Sequence, residues 1–105
     1  MPRLPIITLA ATSLLALQPA LASEQIATKA TCTTCHMPAK KLVGPSWHDV
    51  AVKYKGKADA PAMLAQRVRK GGKDVWGPIP MLPLGPDKIS DADLKTVIAW
   101  VLKTP

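Results

Sequence analysis

The chain has 105 residues and carries 14 basic against 7 acidic side chains, a net charge of +7. It contains no Phe, three Trp, one Tyr and only two Cys. These numbers exclude two ordinary domains, and they are typical of one small domain that needs a metal, a cross-link or a large cofactor to complete its core.

The N-terminal stretch has the pattern of a secretory signal peptide. Arg3 supplies a positive start, residues 4–17 form a short apolar run, and Ala20-Leu21-Ala22 is a small-residue cleavage site. The apolar run is short for a bilayer span. We therefore predict a signal peptide over residues 1–22 and one exported domain over residues 23–105, without a membrane span. The alternatives are an uncleaved anchor or a buried helix.

Two helices are predicted in the first half of the domain. Ser23 can cap a first helix that runs towards the two cysteines. Ser46 and Asp49 have the spacing of a capping box, which predicts a short helix from Trp47 to about Tyr54.

Two further helices are predicted in the second half. Asp59 can cap the third helix, with Pro61 in its first turn and Gly71-Gly72 at its end. Ser90 and Asp93 form another capping box before the fourth helix. The apolar residues of that helix recur at helical spacing: Leu94, Val97, Ile98, Val101 and Leu102.

The segment between the third and fourth helices is a stiff, extended loop. Residues 77–86 include four prolines, which prevent a helix and remove donors from any strand ladder. No segment alternates apolar and polar residues over the length of a strand. The predicted fold is all-α.

The clearest chemical motif is Cys32-Thr33-Thr34-Cys35-His36. The pattern C-x-x-C-H is the attachment signature of haem c. Two thiols about one helical turn apart can add to two vinyl groups on one porphyrin edge, and His36 can then bind the iron. We predict one covalent haem c, held by Cys32 and Cys35, whose binding is part of folding.

Three other uses of the two cysteines stay open. A thioredoxin-like redox pair needs a βαβ context that is absent from the sequence. A zinc site could combine both cysteines with His36 and His48, although His48 lies in a capped helix without a finger-like framework. A structural disulfide between Cys32 and Cys35 would close too short a loop to stabilise the chain much.

The second axial ligand has several candidates: Met37, Met63, Met81, His48 and the lysines. Met37 adjoins His36 and cannot reach the opposite face of the ring. Met63 lies on an amphipathic helix, where we expect it to fill the core. His48 is expected on the same side as His36. Met81 is the favoured ligand, because a stiff loop reduces the entropy lost in holding a weak thioether.

Several segments together resemble the small class I cytochromes c of the c-551/c-552 type. They are Cys32-Thr33-Thr34-Cys35-His36, Val43-Gly44-Pro45, Asp49-Val50-Ala51, Leu64-Ala65-Gln66-Arg67, Val75-Trp76-Gly77-Pro78-Ile79-Pro80-Met81 and Ala99-Trp100-Val101-Leu102. The resemblance implies a single-domain class I cytochrome c fold, about four short helices around one covalent haem, with the first and last helices crossing. It also implies His36 and Met81 as axial ligands.

The resemblance assigns roles to three more residues. It implies that the Pro45 carbonyl accepts a hydrogen bond from the His36 ring and so tunes the ligand. It also implies that Arg67 and Trp76 hold a haem propionate. A solvated helix charge and a packing tryptophan are the alternatives for those two residues.

Three positions depart from the family pattern. Ala27 stands where an aromatic side chain often packs on the C-terminal helix, and Thr31 stands where a Gly commonly precedes the first Cys. Leu84 stands where an Asn can bond the methionine sulfur. These departures bear on the helix crossing and on the Met-iron bond, and they leave the expectation of haem unchanged.

The implied function is electron transfer and not enzymatic catalysis. The predicted protein is a periplasmic monohaem cytochrome that carries single electrons between respiratory redox partners through a His/Met-ligated iron. One alternative is a haem subunit of a larger periplasmic oxidoreductase. Another is a haem sensor or enzyme with an open iron site, which requires that Met81 does not bind.

The positive charge suggests the kind of partner. Loss of Arg3 with the signal peptide leaves 13 basic against 7 acidic residues, a net charge of +6. The basic rim is the set Lys40, Lys41, Lys53, Lys55, Lys57, Arg69, Lys70 and Lys73. It could steer acidic redox proteins towards the haem edge, and an ordinary solvated surface is the alternative. We expect a monomer that binds no nucleic acid.

Overall fold

The computed structural model describes Met1 and residues 18–105. Residues 2–17, which include most of the predicted signal peptide, lie outside this part. The described chain forms helices α1 (Gln18–Lys29), α2 (Trp47–Tyr54), α3 (Ala60–Lys70) and α4 (Asp91–Leu102), with a 3₁₀ turn at Cys32–Thr34. Over the same residues there are two isolated bridges but no strand. The all-α prediction is confirmed.

Helix α1 begins earlier than predicted. It starts at Gln18, so Ser23 lies inside the helix and is not its N-cap. Pro19 falls in the first turn, where its missing N–H costs nothing, and the alanines that follow favour a helix. The helix therefore continues across the predicted cleavage site after Ala22. In the described part of the chain, no helix is long and apolar enough to cross a bilayer.

The capping predictions hold for α2 and α4 and fail for α3. The Ser46 hydroxyl accepts a hydrogen bond from the Asp49 amide at 3.0 Å, and the Ser90 hydroxyl accepts one from the Asp93 amide at 3.1 Å. Asp59 precedes α3, but its side chain makes no capping bond. Its backbone is already helical, whereas a capping residue normally has extended dihedrals that direct its side chain at the first amides.

The core forms where α4 packs against α1, α2 and α3. Its members are the apolar residues Ala27, Ala30, Trp47, Val50, Ile89, Leu94, Val97, Ile98 and Val101. Ala27 is fully buried in this cluster, and Trp100 packs against the cluster as a partly buried neighbour. Small residues of α1 thus face larger ones of α4, which allows the two helices to lie close together.

Met63 is not in the core, contrary to the prediction. Leu64 and Val68 lie four residues apart on one face of α3 and pack against the core. Met63 falls outside that face by its helical spacing, and 39 % of its surface is exposed.

Candidate functional site

The two cysteines lie in a tight turn at the end of α1. Thr31 precedes the 3₁₀ turn with a left-handed backbone, φ +69°. The amide of His36 donates to the carbonyl of Cys32 at 3.0 Å, so the imidazole follows directly on the turn. No disulfide joins the two cysteines, and both are partly buried. Burial raises the pKa of the Cys32 thiol.

The His36 imidazole is oriented by a carbonyl oxygen. Its Nδ1 atom lies 2.8 Å from the Pro45 oxygen, which can only accept, so Nδ1 carries the proton. The Nε2 atom is then the one with a free lone pair for a metal. Burial lowers the pKa of His36, and the hydrogen bond to Pro45 opposes this effect. A neutral imidazole is the form that binds a metal ion.

A glycine lies directly against the imidazole. A Cβ atom added to Gly44 would lie 2.6 Å from Cε1 and 2.9 Å from Nδ1 of His36. The amide of Gly44 donates to the Cys35 carbonyl at 2.8 Å, which fixes this approach. In the sequence, Gly44 stands out only as part of the segment Val43-Gly44-Pro45, and the restricted backbone of Pro45 is the signal that marks this position.

Trp47 stacks on the His36 ring. The two ring centroids are 4.5 Å apart and the ring planes differ by 17°. The indole of Trp47 also makes an edge-on contact with Trp100, with the ring centroids 6.2 Å apart. The sequence indicated Trp47 only as the first residue of a helix, since nothing in its periodicity predicts a contact with a residue eleven positions earlier.

Met81 is held by its backbone beside the end of α3. Its amide donates to the Gly72 carbonyl at 2.7 Å, and the Gly72 amide donates to the Met81 carbonyl at 3.1 Å. The Arg67 side chain lies directly over Gly72, where a Cβ atom would overlap its guanidinium. The structure therefore places Arg67 next to the segment that carries Met81.

Arg69 connects the methionine loop to α4 and does not belong to the basic rim. Its Nη1 donates to the Leu84 carbonyl at 3.1 Å, and its Nη2 lies 2.7 Å from the Asp91 carboxylate. The side chain is only 20 % exposed and its charge is paired with Asp91, so little of Arg69 is accessible to a partner. The backbone of Leu84 therefore anchors the loop to Arg69.

Trp76 lies away from the core and beneath a lysine. It is 39 % exposed, and the Lys53 ammonium lies 5.2 Å from its ring centroid. In the described part of the chain, no hydrogen bond or ring contact connects Trp76, Arg67 or Met81 to His36. The predicted site residues thus form three groups: the cysteine turn with His36 and Pro45, Met81 with Arg67, and Trp76 with Lys53.

These groups fit a haem better than a zinc ion. Among Met1 and residues 18–105, no three His, Cys, Asp or Glu side chains lie together as metal ligands. The segments around His36 and Met81 instead expose large apolar side chains: Leu42, Val43, Val75, Trp76, Ile79 and Leu82. A small domain seldom leaves so much apolar surface uncovered, and a porphyrin ring bound between the segments would cover part of it.

Comparison with known proteins supports this interpretation. The family model "Cytochrome c" matches residues 20–105. A cytochrome c2 of Rubrivivax gelatinosus is 57 % identical over 81 residues, which are 77 % of this chain and 95 % of that protein. A cytochrome c-551 of Pseudomonas aeruginosa is 48 % identical over 71 residues, 68 % of this chain and 65 % of that one. The crystal structure of wild-type Nitrosomonas europaea cytochrome c552 superposes with a TM-score of 0.72, at 40 % identity, covering 78 % of this chain and 99 % of that one.

Proposed function

We propose that this chain, which belongs to the cytochrome c family and carries electrons on one covalent haem c, acts in the periplasm with His36 and Met81 as axial ligands of the iron. The haem supplies an iron that takes up and releases one electron. The chain is an electron-transfer protein and not an enzyme. The polypeptide attaches the haem, fixes both ligands and presents a surface to redox partners.

The hydrogen bond between His36 and Pro45 is the observation that carries this proposal. At 2.8 Å it occupies Nδ1 and leaves Nε2 for the iron. It also strengthens the imidazole as a donor, because the carbonyl draws the Nδ1 proton. Cys32 and Cys35, in the turn immediately before, form the two thioether bonds.

Met81 is proposed as the second ligand because its backbone is held on both sides. The paired hydrogen bonds with Gly72 fix the residue itself, and the Leu84 amide, which donates to the Val68 carbonyl at 2.9 Å, fixes the chain after it. A thioether is a weak ligand, so a preorganised loop reduces the entropy lost when it binds. Methionine opposite histidine favours a high reduction potential.

Arg67 and Trp76 are proposed to hold the haem propionates. Arg67 lies beside the methionine segment with an exposed guanidinium, which can donate to a carboxylate. Trp76 is partly exposed and offers an indole N–H as donor. The Lys53 ammonium over the Trp76 ring adds positive charge where propionates would lie.

Export and partners complete the proposal. Residues 1–22 act as a signal peptide and residues 23–105 form the mature domain. The partners are periplasmic redox proteins with acidic docking surfaces, and the protein acts as a monomer. Lys40 and Lys41 directly precede Leu42 and Val43, both exposed, so positive charge adjoins an apolar contact surface. This arrangement suits brief, steered encounters. Mass spectrometry of the exported protein tests cleavage after Ala22.

The absorption spectrum of the purified protein tests the ligands. A reduced haem c spectrum, together with the weak near-infrared sulfur-to-iron band in the oxidised protein, is the expected result. Met81→Ala should abolish this band and allow carbon monoxide to bind the reduced protein, whereas the control Met63→Ala should change neither. A wild type that carries haem c but lacks the near-infrared band would exclude Met81 as an iron ligand and favour the open-site alternative. No haem, in a host able to attach it, would overturn the proposal.

A further inference from the structure

The contact between Trp47 and His36 is a face-to-face stack inside the protein. The centroid distance of 4.5 Å and the interplanar angle of 17° fall in the range of offset-stacked aromatic pairs. Trp47 is only 7 % exposed, so little water screens the interaction between the two rings. The charge distribution of the indole therefore acts on the imidazole with little screening.

Trp47 is itself held rigidly. Its amide donates to the Met37 carbonyl at 2.9 Å, and it begins α2 directly after the N-cap Ser46. The edge of its indole packs against Trp100 at an angle of 63°. An aromatic ring fixed by its backbone and by a second ring can act as a wall for the imidazole.

The stack restrains a motion that the hydrogen bond to Pro45 leaves free. A single bond at Nδ1 holds one atom of the His36 ring, and the ring can still tilt about that atom. A nearly parallel indole limits this tilt, because rotating the imidazole out of plane would drive its atoms into the Trp47 face. Gly44 lies directly against the imidazole, so the ring cannot move towards Gly44.

The stack also has an electrostatic effect. An imidazole on an oxidised metal carries more positive charge than one on a reduced metal. The face of an indole carries negative potential and attracts positive charge. We infer that Trp47 is a positioning residue that fixes the plane of the His36 imidazole and lowers the reduction potential of the centre by stabilising its oxidised state. The inference rests on the proposed ligation by His36.

The test compares haem-loaded variants of the full protein. Trp47→Leu removes the ring and Trp47→Phe keeps a smaller one. Trp100→Leu is the matched control, because Trp100 touches Trp47 and has no ring contact with His36. The reduction potential is measured by spectroelectrochemical titration. Proton NMR shifts of the haem methyl groups in the oxidised protein report the orientation of the imidazole plane.

We expect Trp47→Leu to raise the potential and to redistribute the methyl shifts. The expected change in the equilibrium constant with a fixed reference couple is at least threefold, about 28 mV for one electron. Trp47→Phe should restore most of the wild-type potential. Trp100→Leu should lower stability and should change the potential and the methyl shifts much less than Trp47→Leu does, because the backbone still holds Trp47 against His36.

Two results would overturn the inference alone. One is an unchanged potential and unchanged methyl shifts in Trp47→Leu, in a protein whose wild type shows the near-infrared band. The other is an equal change in Trp100→Leu, which would indicate a general loss of packing. If Trp47→Leu does not fold, Trp47→Met, which fills irregular space without a ring, is judged by the same criteria. If the wild type lacks the near-infrared band, the proposed ligation by Met81 is overturned, and if it carries no haem, the ligation by His36 on which this inference rests is overturned as well.

Discussion

Met81 and Gly72 form a two-way backbone bridge, with N···O distances of 2.7 Å and 3.1 Å. The bridge connects the proposed methionine ligand to the residues that end α3. Gly71, the C-cap of α3, immediately precedes it and has φ +69° and ψ −170°. This conformation is essentially restricted to glycine. The place of Met81 therefore depends on the backbone of two glycines.

Gly71→Ala should weaken both the fold and the methionine ligation. A Cβ atom there would lie 2.5 Å from the Met81 carbonyl oxygen and 3.0 Å from the Pro83 nitrogen. Since both neighbours are backbone atoms, the loop must move. We expect a loss of about 1–3 kcal/mol in the free energy of unfolding, measured with guanidinium chloride, and a weaker near-infrared band.

Gly56→Ala is the matched control for this variant. Gly56 also has a positive φ, +75°, but no atom lies within 4 Å of an added Cβ. It should lose some stability and keep the full near-infrared band. If both variants keep the band, or both lose it, the link between Gly71 and the methionine loop is contradicted.

Gly44→Ala should disturb the His36 ligand. The added Cβ would meet the ring of His36 and not the end of a flexible chain, so the imidazole must turn away from Pro45. A weaker bond at Nδ1 makes the imidazole a poorer donor to the oxidised metal. We expect less haem-loaded protein and a higher reduction potential, both read from spectra during a redox titration.

Gly85→Ala serves as the control for Gly44→Ala. The atom that its Cβ would meet most closely is the Asp87 carboxylate oxygen at 2.7 Å, and that side chain can rotate away. The yield of haem-loaded protein and the reduction potential of Gly85→Ala should match those of the wild type. A wild-type potential in Gly44→Ala would show that the glycine does not govern the position of the imidazole.

Thr31→Gly should stabilise the protein. Thr31 is β-branched and adopts φ +69°, a strain that glycine does not have. The substitution also removes the hydrogen bond from the Thr31 hydroxyl to the Ala30 carbonyl and adds freedom to the unfolded chain. We expect a net gain of about 0.5–1 kcal/mol in chemical unfolding. Thr33→Gly, in the same turn without a positive φ, should destabilise instead. If Thr31→Gly and Thr33→Gly lower the free energy of unfolding equally, the backbone at Thr31 is not strained.

The basic rim should speed reaction with anions. Without Arg69 it consists of Lys40, Lys41, Lys53, Lys55, Lys57, Lys70 and Lys73. The double variant Lys40→Glu/Lys41→Glu should slow oxidation by ferricyanide about tenfold at low ionic strength, measured by stopped flow. The control Lys95→Glu/Lys103→Glu makes the same charge change on or beside α4, which carries no proposed haem contact. Equal slowing would mean that only net charge matters.

The sequence was a good guide to the elements whose ends are marked by local chemistry. The hydroxyls of Ser46 and Ser90 each bond an amide three residues on, so the starts of α2 and α4 follow from the residues alone. The end of α3 follows from Gly71. The start of α1 was misplaced because Ser23 is a competent cap in a stretch that is already helical.

The site was harder to predict wherever it depends on tertiary contacts. The motif around Cys32 marks the attachment point, since two thiols and an imidazole at fixed spacing need no long-range information. The Trp47 stack, the inward turn of Arg69 and the Gly72 bridge join residues that are distant in sequence. No local periodicity encodes such contacts, and they appear only once the helices have packed.

The packing of α1 on α4 joins the two ends of the domain. Ala27 and Val97 belong to one buried cluster, although about 70 residues separate them, and closing a loop of that length costs about 4 kcal/mol before any contact repays it. Contacts of this kind slow folding compared with the formation of single helices. Once formed, they open only when the whole domain opens. The amide protons that exchange most slowly with solvent are therefore expected in α1 and α4, the two helices farthest apart in sequence.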